Sequence, residues 1–234
     1  MPLIFGLAAS FSIFISHKFS IKLLDFNYLV IEGNIGAGKT SLTRKLAEET
    51  NSKLILEQFG DNPFLAKFYK DPDRYAFPVE LSFLSERYQQ LKAELQNRDL
   101  FQTSVISDYH LSKSFIFSKN TLKTDELKLF ENMFSIISLQ VPRPDLFVYL
   151  HVSVDNLLSN IKKRGRSYEQ EIQFNYLNDI QKGYFNFLKS RQDLKILVID
   201  TNNVDFVNNP SDYEKIKNVI LNEEYQVGMN MVIL

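Results

Sequence analysis

Gly33-Asn34-Ile35-Gly36-Ala37-Gly38-Lys39-Thr40 is the stretch of this 234-residue chain that decides its fold. It fits the pattern G-x-x-x-x-G-K-[ST] without a gap. An apolar run over 28–31 precedes it and 41–50 reads as a helix after it, which is the strand–loop–helix setting the pattern requires. The glycines let backbone N–H groups turn inward onto phosphate oxygens, and the helix start adds its positive dipole end. Lys39 can reach β- and γ-phosphates, and the Thr40 hydroxyl can serve Mg²⁺. All eight residues are therefore expected to bind a nucleoside triphosphate, with a chance match in a glycine-rich turn as the rival reading.

Outward from this loop, further apolar runs at 53–56, 104–106, 146–150 and 195–199 complete a set of expected strands. Their apolar residues are consecutive rather than alternating, which suits strands covered on both faces of a parallel sheet. Between them, helical periodicity covers 74–97, 125–139, 154–163, 169–190 and 211–222. Val141-Pro142 stops the second of these helices and Gly165 the third. The expectation is one α/β domain over 26–234, a doubly wound P-loop fold with a five-stranded parallel sheet flanked by helices. Its ligands should lie outside the carboxyl ends of the strands.

The formal net charge of −1 gives no basic excess for duplex binding, so no nucleic-acid partner is expected. The chain contains no cysteine, which excludes disulfides, thiolate metal sites and a cysteine nucleophile. Residues 1–16 are uncharged and strongly apolar, with Lys18 and Lys22 after them. Positive charge follows the apolar run instead of preceding it, unlike a signal peptide, and the run falls short of a spanning helix. Residues 1–25 are read as a leader outside the fold, with membrane association through them the less favoured alternative. An ATP-using site favours a cytoplasmic location.

Four further places carry chemistry. Glu57 follows the run 53–56, so it should stand at the carboxyl edge of the sheet, able to accept the proton of an attacking hydroxyl. Asp108 follows the run 104–106, where a carboxylate could hold Mg²⁺ through water or cap a turn. Lys162-Lys163-Arg164-Gly165-Arg166 packs four cations into five residues, which repel unless an anion sits among them. Arg164 and Arg166 are expected to act as a lid on donor phosphates, against the alternative of a solvated basic face. Glu80 and Arg87, seven apart on the helix 74–97, project along one line and either face a pocket or stand as exposed charges.

Taken together, these blocks resemble the deoxynucleoside kinases, the group that contains deoxycytidine, deoxyguanosine and deoxyadenosine kinases, over about 28–206. The resemblance implies that Glu57 is the general base, that Tyr69 and Glu169 bind the sugar 3′-hydroxyl, and that Arg87 is a pocket arginine. It implies that Asp205 and Phe206 belong to the loop touching the donor's base, and that the protein is a homodimer. Two departures are plain. Glu80 stands where better-known members have a base-reading glutamine. Ser107-Asp108-Tyr109 replaces Glu-Arg-Ser, so the arginine that helps hold the 5′-oxygen is missing, and Lys113 stands where an aspartate is frequent. Such wording is similar to the bacterial purine-preferring branch.

An ionised Glu80 is acceptor-only and complements the two neighbouring donors of guanine, whereas adenine would need it protonated or turned away; the rival reading is that Glu80 pairs with Arg87 and only orients the site. The expected activity is transfer of a phosphoryl group from ATP, with Mg²⁺, to the 5′-hydroxyl of a purine deoxynucleoside in nucleotide salvage. Two alternatives stand beside it. A nucleoside monophosphate kinase would need more acceptor-side cations than Lys67, Lys70 and Arg74 supply. A catalytically silent ATP-binding subunit of a heterodimer would account for the departures around Asp108.

Overall fold

A computed structural model describes residues 26–58, 62–96, 102 and 104–234. The leader 1–25 lies outside these residues. Strand β1 (Tyr28–Gly33) is buried at every position and its side chains divide between two cores. Leu29 and Ile31 face one side with the helices α1 (Lys39–Glu49), α6 (Val154–Arg164) and α8 (Pro210–Asn222). Tyr28 and Val30 face the other with α4 (Ser112–Thr121) and α7 (Phe174–Ser190). This two-sided burial is what the consecutive apolar runs encode.

The remaining strands are β2 (Lys53–Ile55), β3 (Val105–Ser107), β4 (Leu146–His151), β5 (Lys195–Asp200) and β6 (Gly228–Ile233). The sheet has six strands in the order β2-β3-β1-β4-β5-β6, all parallel. The five expected strands are present, and β6 corrects their number. It pairs with β5 from Lys195↔Gly228 to Asp200↔Ile233. Its sequence, Gly-Met-Asn-Met-Val-Ile, leaves Met229, Met231 and Ile233 exposed, so it lacks the continuous apolar signature of a central strand.

Two helices, α2 (Leu65–Lys70) and α4, add to the expected set, and the long helix α3 spans Pro72–Gln96. Helix α5 covers Thr124–Ser138. The helix expected over 169–190 is split into a 3₁₀ turn at Ser167–Glu169 and α7 from Phe174. Helix α6 starts on Ser153, whose Oγ accepts from the Asn156 N–H, and ends at Gly165 with φ 72°, as its glycine stop signals. The strand order reverses at β1, between β3 and β4, and the phosphate loop leaves the sheet at that switch point.

Candidate active site

The loop between β1 and α1 is shaped as a cradle. Gly36 and Gly38 have φ of 87° and 84°, values that favour glycine. A Cβ on Gly38 would come within 2.7 Å of the Phe206 ring, and one on Gly36 within 2.9 Å of the Leu157 carbonyl. Asn34 fastens the loop, its Nδ2 donating to the Leu177 carbonyl at 2.8 Å and its Oδ1 accepting from the Ile35 N–H. Lys39 Nζ folds back onto the Asn34 carbonyl at 2.9 Å. Burial, and then the nearby Lys113 cation, pull the Lys39 ammonium down to about 8. A triphosphate in the cradle would raise it again and hold the charge.

Three strand ends deliver carboxylates beside the cradle. Asp108, just past β3, accepts from Thr40 Oγ1 at 2.5 Å and from the Glu57 N–H at 2.7 Å. Asp108 thus organises the turn and stands next to the Thr40 hydroxyl. Glu57, beyond β2, accepts from Arg87 Nε and Nη2 at 2.8 and 2.6 Å through Oε1, and from Lys113 Nζ at 2.5 Å through Oε2. Burial alone would raise the Glu57 carboxyl, but Lys113 and Arg87 outweigh it and bring it down to about 2. Glu57 is therefore ionised across the working range. Glu32, at the end of β1, accepts from the His110 N–H at 2.8 Å and from the Tyr184 hydroxyl at 2.9 Å.

Glu80 and Arg87 both project from α3 into the interior, so the exposed-charge alternative does not hold. They do not pair with one another. Arg87 joins Glu57, donates from Nη1 to Ser114 Oγ at 2.7 Å, and lies 4.6 Å from the centre of the Phe83 ring. Glu80 Oε1 accepts from Thr121 Oγ1 at 2.9 Å, while Oε2 is buried without a partner. Burial raises the Glu80 carboxyl to about 7, against the smaller opposing pull of Arg87.

Beyond α6, Arg164 and Arg166 both reach Glu169, Arg166 Nη1 at 3.2 Å from Oε1 and Arg164 Nη2 onto Oε2. The anion among the clustered cations is thus a carboxylate of the chain itself. Tyr69 stacks on Tyr168 with ring centres 6.4 Å apart, and burial raises its hydroxyl pKa.

Two adjoining cavities use these parts. One is lined by Glu57, Tyr69, Glu80, Arg87, Lys113 and Glu169 among others. The other runs over the glycine loop to Lys163 and to the segment Thr201–Asn208, including Asp205 and Phe206. Gly36, Lys39, Thr40, Arg164 and Arg166 line both. Asp205 is occupied in shaping its own turn, accepting from the Val207 and Asn208 N–H groups at 3.2 and 3.0 Å. Phe206 is buried against the glycine loop.

Among the described residues no cluster of three His, Cys, Asp or Glu side chains could hold a metal ion by itself. Thr40 and Asp108 nonetheless present hard oxygen donors at the cradle, which suits an ion that takes its other ligands from phosphate and water. No sequence motif or spacing assigns a role to Lys113, Ser114, Thr121, Tyr168, Tyr176 or Glu32. Most reach the site from a helix face or the 3₁₀ turn; only Glu32, already part of the glycine-loop wording, had a strand-end signal.

The family model described as deoxynucleoside kinase matches residues 29–224. The chain is 35% identical over 193 residues to the deoxyguanosine kinase of Bacillus subtilis, covering 81% of this chain and 93% of that protein. It is 30% identical over 196 residues to the deoxyadenosine/deoxycytidine kinase of the same organism, covering 80% and 88%. The structure of a deoxyadenosine kinase from M. mycoides with bound dATP superposes with a TM-score of 0.71 at 27% identity, covering 82% of this chain and 98% of that one.

Proposed function

The chain belongs to the deoxynucleoside kinase family, an enzyme that phosphorylates nucleosides in salvage with ATP, and from that premise we propose that its acceptor is a purine deoxynucleoside attacked at the 5′-hydroxyl. The observation that carries this is the shared wall of the two cavities. A triphosphate on the cradle and a hydroxyl-bearing acceptor beside Glu57 would meet at Lys39, Thr40, Arg164 and Arg166.

In this reading Lys39 leaves the Asn34 carbonyl for the donor's β- and γ-phosphates. Glu57 accepts the hydrogen of the 5′-hydroxyl and aims its oxygen. The new bond forms between that oxygen and the γ-phosphorus, the bond from phosphorus to the bridging oxygen breaks, and ADP leaves. A carboxylate held near 2 is a weak base, so its contribution is chiefly alignment, with the proton passing as transfer makes the hydroxyl acidic. Arg164 and Arg166 exchange Glu169 for the donor phosphates, which releases Glu169 to join Tyr69 on the sugar 3′-hydroxyl. Mg²⁺, held through Thr40 and Asp108, would offset phosphate charge. Asp205 and Phe206 border the donor's base.

Glu80 supports the purine assignment. When ionised, its unpartnered Oε2 in the acceptor cavity offers an acceptor, beside Oε1, for the ring N–H and amine of guanine. We also infer a homodimer in the cytoplasm. Leu129 and Ile136 on α5, with Leu139 just past its end, form an uncovered apolar face that a second copy would bury, and light scattering on the purified chain tests it. No helix among the described residues is long and apolar enough to cross a membrane.

The test is ATP consumption by residues 26–234 with Mg²⁺ and each of the four deoxynucleosides. Turnover with deoxyguanosine or deoxyadenosine, abolished by Lys39→Ala, is the expected result. ATP binding with no turnover on any deoxynucleoside would instead favour a silent subunit.

A further inference from the structure

The acceptor cavity contains a buried cation for which the mechanism above has no use. Lys113, on α4, is 6% exposed. Its ammonium donates to Glu57 Oε2 at 2.5 Å and lies 5.7 Å from the centre of the Phe117 ring. An ammonium has three N–H donors, and among the described residues Glu57 alone supplies it with an oxygen. Two charged donors are thus left without a protein acceptor in a buried place, an arrangement that is costly until an oxygen arrives.

Glu57 does not need Lys113 to stay in position. Arg87 already grips Oε1 with two N–H groups and is itself anchored on Ser114. Asp108, the other carboxylate at this edge, is engaged by Thr40 and by the Glu57 N–H, with no cation on it. Lys113 therefore sits on the one carboxylate oxygen that the acceptor hydroxyl must approach. It also lies close enough to the cradle to depress the Lys39 ammonium.

We propose that Lys113 is a catalytic residue whose ammonium binds the acceptor's 5′-oxygen and then the phosphoryl group as it arrives there. This rests on the kinase reading above. Lys113 keeps its proton throughout: the proton of the 5′-hydroxyl goes to Glu57, the phosphoryl group goes to the 5′-oxygen, and ADP carries away the electron pair of the broken bond. The two open N–H donors are filled by the 5′-oxygen before transfer and by phosphate oxygens after it.

Lys113 should consequently distinguish the product monophosphate from the nucleoside, a difference that a purely structural lysine would not make. Calorimetric titration of deoxyguanosine, deoxyadenosine and their 5′-monophosphates into wild type, Lys113→Met and Lys113→Arg measures this directly. The phosphate is charged and fills both open donors whereas the hydroxyl is neutral and competes with water, so Lys113→Met should weaken monophosphate binding by about 30-fold and nucleoside binding by only about 3-fold. Turnover should fall about 100-fold with the KM for ATP held within about 2-fold, and Lys113→Arg should regain part of both losses. If Lys113→Met does not fold, Lys113→Gln keeps a neutral donor for Glu57 and should show the same loss confined to the monophosphate. Equal weakening of nucleoside and monophosphate, or full turnover in either neutral variant, overturns the proposal. Absence of turnover in wild type would overturn the kinase reading instead, and the binding comparison would still report on Lys113.

Discussion

Replacing Glu80 by glutamine tests the electrostatics of the acceptor cavity. Burial raises the Glu80 carboxyl from 4.5 to about 7, and the groups facing it are Thr121, through a hydrogen bond, and the Arg87 and Lys113 cations at longer range. At about 1.4 kcal/mol per unit, the ionised form is disfavoured by about 3 kcal/mol in the empty protein. Because the folded value lies above the unfolded one, this penalty is absent below 4.5, grows as pH rises to about 7, and is complete above it. Glu80→Gln should thus be more stable than wild type by up to about 3 kcal/mol at about pH 8, and the gain should shrink towards about pH 5, as read by urea unfolding.

With Glu80 as the proposed base reader, the same titration should set the base preference. Above 7 the carboxylate offers acceptors to guanine; below it the protonated acid offers one donor and one acceptor, the pattern adenine requires. Between about pH 6 and pH 8 each protonation state changes about tenfold in opposite directions, so the ratio of kcat/KM for deoxyguanosine over deoxyadenosine should rise by up to about 100-fold. The ratio is the right quantity because titration of Lys39 affects both substrates alike and cancels. Glutamine at position 80 should flatten the ratio and lower it. A wild-type ratio that does not move with pH, or a glutamine variant with unchanged preference, would remove Glu80 from base reading.

Glu57→Gln keeps the shape of the side chain but leaves Arg87 and Lys113 without their shared anion. Turnover should drop by about 100- to 1,000-fold in steady-state assays while nucleoside binding, measured calorimetrically, persists. Gly38→Ala places a methyl 2.7 Å from the Phe206 ring at φ 84°, so the cradle must distort. ATP affinity should fall by at least about tenfold, with the thermal midpoint lowered as well; unchanged ATP affinity would mean that the Phe206 segment moves freely.

The division between what the sequence makes legible and what it hides follows the chemistry of the site. The carboxylates beside the glycine loop stand at strand ends: Glu32 closes β1, Glu57 follows β2 and Asp108 follows β3, whereas Glu80 on α3 and Glu169 in the 3₁₀ turn do not. Strands buried on both faces announce themselves as apolar runs, so a carboxylate at the end of one is recognisable, and Glu57 and Asp108 are found that way. Edge strand β6 escapes the same logic because one of its faces is left open to solvent. The site's cations come from helices, Lys39 at the start of α1, Arg87 within α3, Lys113 on α4 and Arg164 at the end of α6. Their long side chains converge only after the helices have packed, and packing is set by residues such as Leu84, Ile116 and Leu157 that carry no chemistry. Lys39 was legible through its motif and Arg164 through its charge cluster, whereas Lys113, in an unremarkable Ser-Lys-Ser-Phe stretch, had neither signal. The strand ends fix where negative charge must be held. The helices decide how many cations hold it, and at Glu57 they supply one more than the carboxylate needs, which is the excess that the acceptor's phosphate would take up.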